Sequence, residues 1–324
     1  MPGRSRRRRP AVGIVAPAAD AEARAVADSL VQRGAEPRFI DFGGFPDRKT
    51  GCLGPSLLRY GGIDLAALGA CYLRISGYNW PFDSPGCCAS WPDRYSEYRD
   101  FLAREVAALS FKECLLRLLT RRLPVVNPQP LQELHRLKLY QYHLLGRRLI
   151  PVAETVAGND ARELLRFARR AAPCVRKPIA GILKTRLLDS GEELRLELTS
   201  RPICGQRYLP GRTIRCYVVD DRLVASGVIL HESAVDSSVA QRGVELIELP
   251  SAVQSQVRAA ARALGLLFSG IDVQHDARRN RYAILECNVS PMFANFAKMS
   301  GVDVPGALAD LLIRLAGRRR GPGG

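Results

Sequence analysis

At 324 residues, 47% of them hydrophobic, the chain is long enough for two or three packed lobes, and no apolar run approaches a bilayer span. Its formal charge of +16 invites a nucleic-acid partner, but part of it sits in arginine runs at 4–9 and 318–320, with no aromatic-interleaved binding signature between them. Nine scattered cysteines without a Cys-x-x-Cys pair, and four histidines without zinc spacing, fit reduced thiols in a cytoplasm.

Residues 11–16 read as a short apolar strand stopped by Pro17. Residues 21–33 carry helical apolar spacing and end at Gly34, and 36–42 give a second strand. This β-α-β opening predicts a parallel sheet, while the absence of Gly-x-Gly-x-x-Gly argues against dinucleotide binding. A strand at 68–75, a Pro-, Gly- and Cys-rich loop at 80–93, a long helix at 95–119 and a buried strand at 123–127 complete a first lobe. A helix over 131–145 carries Lys138 and stops at Gly146. An extended segment at 151–156 and a helix at 161–171, capped by Asn159 or Asp160, follow. Strands are expected at 174–178, 195–198 and 203–209, then a hairpin of 213–219 and 223–229 around Asp220-Asp221. A helix at 254–264 and a closing helix at 305–315 flank a second hairpin. There is no internal repeat.

That second hairpin carries the chemistry. Ser269-Gly270-Ile271-Asp272-Val273 and Ile284-Leu285-Glu286-Cys287-Asn288-Val289-Ser290-Pro291 flank a polar stretch at 276–281 that reads as a turn. Side chains alternate along a strand, so Glu286 and Asn288 share a face, and a turn near Arg279 sets Asp272 close to Glu286. One reading is a wet strand face. The other starts from the apolar neighbours: like charges held together there are costly without a cation, and hard oxygen donors suit Mg²⁺ completed by substrate phosphates. The second reading predicts an enzyme that handles a metal–nucleotide.

The lysines add to it, because only six of the 48 basic residues are lysine. Lys138 lies on a helix and Lys177 in Val-x-Lys-Pro. They precede Gln206-Arg207-Tyr208-Leu209-Pro210-Gly211-Arg212-Thr213-Ile214-Arg215 and the Asp272/Glu286/Asn288 hairpin. In this order the residues resemble the ATP-grasp ligases over roughly 126–315, in the branch of ribosomal-protein glutamate ligases and microviridin-type (graspetide) peptide cyclases. The resemblance implies an α/β ATP-grasp fold, two α+β lobes clasping ATP, preceded by a small parallel-sheet domain. The expected divisions are a disordered basic tail at 1–10, an N-terminal domain at 11–127, a central lobe at 128–205, a C-terminal lobe with the metal site at 206–316, and a tail at 317–324. By the same resemblance Lys138 and Lys177 contact ATP phosphates, and the main chain of Gln206, Arg207, Tyr208 and Leu209 pairs with adenine. Arg242 lies in the arginine-containing segment ahead of the hairpin, where a surface loop is the other reading. Mg²⁺, or Mn²⁺ in its place, sits on Asp272, Glu286 and Asn288. Arg215 alternates with apolar neighbours and is either a buried ion-pair partner or a phosphate clamp; the planar fork favours the clamp.

The implied reaction activates a carboxylate as an acylphosphate, which an amine or hydroxyl then attacks, with Arg215 and Lys177 as the catalytic cations. His231 and His275 are candidate bases or plain structural histidines. The pattern departs from the family in three places. The segment after Lys177 has a single glycine, Arg207 stands where an acidic residue is common, and within 231–238 only Asp236 of an Asp-Trp-Arg match persists. The substrate expected is a carboxylate-bearing peptide or amino acid, with no membrane or nucleic-acid partner and homo-oligomerisation left open. Trp80, Phe82, Trp91 and Tyr95 are either a surface for a peptide or ordinary satellite packing, and the excess of arginine over acidic residues favours an acidic peptide. The alternatives are a ligase of free amino acids or small metabolites, and a nucleotide-binding regulator without turnover.

Overall fold

The computed structural model describes residues 9–74, 95–179, 185–188, 197–231 and 241–318, which form two compact units, 1–130 with 305–324 and 131–304. The expected aromatic loop at 80–93, most of the segment after Lys177 and the 232–238 match lie outside the described residues. Among the described residues no helix is long and apolar enough to cross a membrane.

The first unit opens as its apolar spacing predicts. β1 (Ala11–Val15) is buried along nearly its whole length and pairs in parallel with β2 (Glu36–Phe39) and β6 (Ala70–Leu73), and α1 (Ala21–Gln32) makes the β1–β2 crossover. Asp20 caps α1 by accepting from the Ala23 N–H at 2.8 Å. β7 (Val125–Val126), reached through the long α2 (Tyr95–Arg122), completes the sheet order β2-β1-β6-β7. A small antiparallel sheet, β3 (Gly51–Leu53), β4 (Leu58–Tyr60) and β5 (Ile63–Asp64), was not expected, since strands of two or three residues leave no readable period.

The second unit holds two antiparallel sheets. The smaller has the order β10-β9-β11-β8, from β8 (Thr155–Gly158), β9 (Cys174–Pro178), β10 (Arg186–Leu187) and β11 (Ile203–Arg207). The larger has the order β14-β13-β12-β15-β16, from β12 (Thr213–Val219), β13 (Arg222–His231), β14 (Gln241–Leu246), β15 (Phe268–Asp276) and β16 (Arg281–Asn288). Both hairpins form where alternation and turn chemistry place them; Asp220 and Asp221 take φ of 48° and 64°, as a tight hairpin turn requires. α5 (Ala161–Arg170) begins at the Asp160 cap, whose carboxylate accepts from Arg162 and Glu163 N–H. Ile214, Cys216, Val218, Ile271, Val273, Ile284 and Cys287 form the inner face of the larger sheet, packed with Val253, Val257 and Ala260 of α6 (Ser251–Ala263).

Three expectations need correction. The helix expected over 131–145 is broken into α3 (Gln129–Gln132), a 3₁₀ turn (Glu133–His135) and α4 (Lys138–Gly146); the buried Gln141 side chain takes up the Leu134 carbonyl beside the break at 2.7 Å. The strand expected at 195–198 is helical over 197–200, where Glu197 meets the buried Arg176 guanidinium at 2.7 Å. From residue 305 the closing helix α7 (Val304–Arg318) counts with the first unit, where Arg33 pairs with Asp310 at 2.8 Å and Gly69 leaves room for Ala316.

Candidate active site

A row of charge crosses the larger sheet. Arg215 on β12 is the cross-strand partner of Asp272 on β15, and Asp272 that of Glu286 on β16. Arg215 grips Asp272 with two nitrogens, Nε to Oδ1 at 2.6 Å and Nη2 to Oδ2 at 3.2 Å. Asn288 follows Glu286 by two residues on the same face, opposite Gly270. A Cβ on Gly270 would meet Pro291 Cβ at 2.5 Å and Arg215 Nη1 at 3.3 Å, so glycine alone lets these two groups close over the row. The register slips once: Val273 pairs with Ile284 and Asp272 with Glu286, leaving Leu285 as the extra residue of a β-bulge. The bulge lets Ile284 and Cys287 both face the core while Glu286 stays on the charged face.

α4 addresses this strand with one face. Lys138, Gln141 and Tyr142 stand at i, i+3 and i+4. Lys138 Nζ lies 3.0 Å from Glu286 Oε2. Gln141 donates to the Cys287 carbonyl at 3.1 Å and accepts from the Cys287 N–H at 3.0 Å. Tyr142 Oη donates to the Leu285 carbonyl at 2.5 Å. Three consecutive residues around the acidic position are therefore fixed by one helical turn. Gln141 and Tyr142 were missed from the sequence; the spacing from Lys138 was the available signal, but a buried amide has no motif.

Lys177, on β9, completes the cluster. Its Nζ donates to Gln206 Oε1 on β11 at 2.7 Å. Burial pushes the Lys177 ammonium down from its ordinary range; Cys204 opposes this, Lys138 adds to it, and Glu286 and Asp272 oppose it. Burial pushes the Asp272 carboxyl up, against the pull of Arg215, with Glu286 adding to the rise and Lys138 opposing it. Burial also works against the Arg215 charge, but Asp272, with Tyr217 and Glu286, more than offsets it, so the guanidinium stays a cation. Three cations thus face two carboxylates in a part-buried site.

The remaining expected residues lie as follows. Gln206 is 4% exposed, and its side chain points into a protein network. The N–H groups of Arg207 and Tyr208 donate to the Glu154 and Pro173 carbonyls, and the Leu209 carbonyl accepts from Gln274. Arg207 also pairs with Glu154 at 3.3 Å, which brings a carboxylate beside the position where an acidic residue was expected. Arg242 is the bulged residue of β14, between partners Gly243 and Gln241, and is exposed. His275 stacks on Tyr282 and bonds Asn280 at the hairpin end, a structural placement; the His231 side chain is outside the described residues.

A family model described as the RimK-like ATP-grasp domain matches residues 138–312, more than half of the chain. The chain belongs to the RimK-like ATP-grasp family. Among solved structures it is similar to the ATP-grasp ligase PsnB, complexed with a phosphomimetic variant of minimal precursor, Mg and ADP, at 29% identity and a TM-score of 0.81, covering 94% of this chain and 98% of that one. The macrocyclase MdnC from Microcystis aeruginosa MRC, bound with precursor peptide MdnA, shares the fold at a TM-score of 0.76 and 16% identity, over 94% and 99% of the two chains. In sequence, the tetrahydromethanopterin:alpha-L-glutamate ligase of Methanocaldococcus jannaschii is 24% identical over 224 residues, 63% of this chain and 75% of its own length. The fold is thus the mixed α/β ATP-grasp fold, and the protein is an ATP-dependent ligase that joins a carboxylate to an amine or hydroxyl. Lys138, Lys177, Arg215, Asp272 and Glu286 all belong to the second unit, within the matched residues.

Proposed function

We propose that this ATP-grasp ligase modifies a peptide, activating side-chain carboxylates of an acidic segment and joining them to amines or hydroxyls. The observation that carries the reading is the Arg215–Asp272–Glu286–Lys138 row with Lys177 beside it. Fixed positive charge meets a set of oxygen donors on one face. The likeness to PsnB, at 29% identity over nearly the whole chain, supports a peptide substrate.

In such a reaction a carboxylate oxygen attacks the γ-phosphorus of ATP, the bond from that phosphorus to ADP breaks, and an acylphosphate forms. The amine or hydroxyl then attacks the acyl carbon, loses its proton and expels inorganic phosphate. Lys138, Lys177 and Arg215 hold positive charge where phosphate oxygens carry negative charge, with little reorganisation because each is already anchored. Asp272, Glu286 and Asn288 fit Mg²⁺: two carboxylates and one amide, all oxygen donors, are too few for an all-protein cage but enough for an ion that shares its shell with phosphates. Bound there, Mg²⁺ would supply further charge to those phosphates, and Mn²⁺ suits the same donors. Free thiols at Cys52, Cys71, Cys114, Cys174, Cys204, Cys216 and Cys287 support a reducing, cytoplasmic setting.

The test is calorimetry with MgATP followed by ADP release on addition of a Glu/Asp-rich peptide or of free glutamate. The reading expects MgATP binding and peptide-stimulated ADP release. Glu286→Gln should lower turnover by about a hundredfold or more while changing MgATP affinity far less. ADP release with glutamate alone, indifferent to peptide, would replace the peptide by an amino-acid substrate.

A further inference from the structure

We propose that Gln206 is a positioning residue: its amide holds Lys177 ready for the nucleotide phosphates and ties that lysine to the acidic strand. The inference rests on the reading of Lys177 as a phosphate-binding cation. Gln206 sits in β11, paired on both sides, with Thr155 directly opposite on β8 and Lys177 diagonal to it on β9. Its oxygen accepts from Lys177 Nζ at 2.7 Å. Its nitrogen donates to Thr155 Oγ1 at 2.8 Å and to Tyr142 Oη at 3.2 Å.

The orientation of this amide follows from its neighbours. Thr155 gives its hydroxyl proton to the Ala153 carbonyl at 2.8 Å, and Tyr142 gives its own to the Leu285 carbonyl. Each hydroxyl can then only accept from Gln206. A lysine ammonium can only donate. The NH₂ group must face the two hydroxyls and the oxygen must face Lys177; the flipped amide would set like against like at all three contacts. A neutral side chain is thereby locked with its acceptor aimed at the cation.

The lock has two consequences. Lys177 would otherwise swing on four rotatable bonds, and the bond to Gln206 restricts it before any phosphate arrives. The chain Lys177–Gln206–Tyr142–Leu285 also ends one residue from Glu286, whose carboxylate Lys138 of the same α4 face holds. Lys177 on the smaller sheet is thus registered against the carboxylates of the larger one. No sequence motif marks this role, because it depends on where two hydroxyl protons go.

The experiment is a double-mutant cycle in the full chain, read as MgATP affinity by calorimetry with thermal melts alongside. The variants are Gln206→Met, which keeps length and removes the amide, Lys177→Ala, and the pair. Gln206→Met alone should weaken MgATP binding by about ten- to a hundredfold, the range for a lost hydrogen bond to a charged group. In the Lys177→Ala background the same change should add almost nothing, because the lysine through which it acts is gone. An equal loss in both backgrounds, or unchanged affinity in Gln206→Met, overturns the proposal while leaving the Lys177 assignment intact. Unchanged affinity in Lys177→Ala alone overturns that assignment and the proposal with it. If Gln206→Met melts too low to assay, Tyr142→Phe, which removes one oxygen from the same lock, runs the same cycle with a smaller expected loss.

Discussion

Lys177 is a cation in a place that disfavours cations. Burial is the largest influence on it and lowers its pKa; Cys204 opposes that, the Lys138 ammonium reinforces it, and Glu286 and Asp272 oppose it. The sign for ligand binding follows. A phosphate favours the protonated lysine, so affinity is full while the ammonium persists and falls as pH rises through a value below the ordinary 10.5. MgATP affinity measured across alkaline pH should therefore decline earlier than an exposed lysine would allow. In Lys177→Arg, whose guanidinium keeps its proton, the decline should flatten even if the affinity itself changes. An alkaline limb unmoved by Lys177→Arg would assign the titration to another group. Arg215 offers no such titration: its two-nitrogen grip on Asp272 keeps it charged, and the same grip spares Asp272 part of the cost of burial.

At the scale of elements, β16 is an edge strand of the larger sheet, and an edge leaves backbone groups that need partners. Gln141 serves Cys287 as a further strand would, accepting from its N–H and donating to its carbonyl. It is fully buried, so no water can replace it. Gln141→Leu keeps the volume but leaves both main-chain groups of Cys287 unsatisfied, while the Leu134 carbonyl keeps the Leu137 N–H. It should destabilise the folded chain by about 2–4 kcal/mol, since each buried orphan costs about 1–3 kcal/mol. Urea unfolding measures this, with the midpoint falling and the slope unchanged. Because Glu286 lies between Leu285 and Cys287, the same variant should also lower turnover. A stable Gln141→Leu with normal turnover would show that the helix is not what fixes this strand.

Over the whole molecule, 48 basic against 32 acidic residues give a field that attracts any polyanion. Nucleic acid should bind at low salt and be lost at about 0.2 M, because such contacts release counterions. MgATP, held by part-buried groups, should lose far less over the same range, and calorimetry beside a DNA filter assay separates the two. Persistent DNA binding at high salt would reveal a specific surface. The sequence by itself determined what is local. Alternation and turn residues set the Asp272/Glu286/Asn288 face and both hairpins. The Asn159-Asp160 pair set the start of α5, and the order of two scarce lysines and an acidic hairpin resembled that of the ATP-grasp ligases. The alternation and the cap need only neighbouring residues and a fixed period, whereas the order of the lysines speaks only through its resemblance to a family. The tertiary structure decided which cation meets which carboxylate, where the first helix of the second unit breaks, and what Gln141, Tyr142 and Gln206 do. Those three side chains act across 146, 143 and 64 residues of sequence respectively. A buried amide or hydroxyl has no periodicity of its own; its role is fixed only when folding chooses its donors and acceptors.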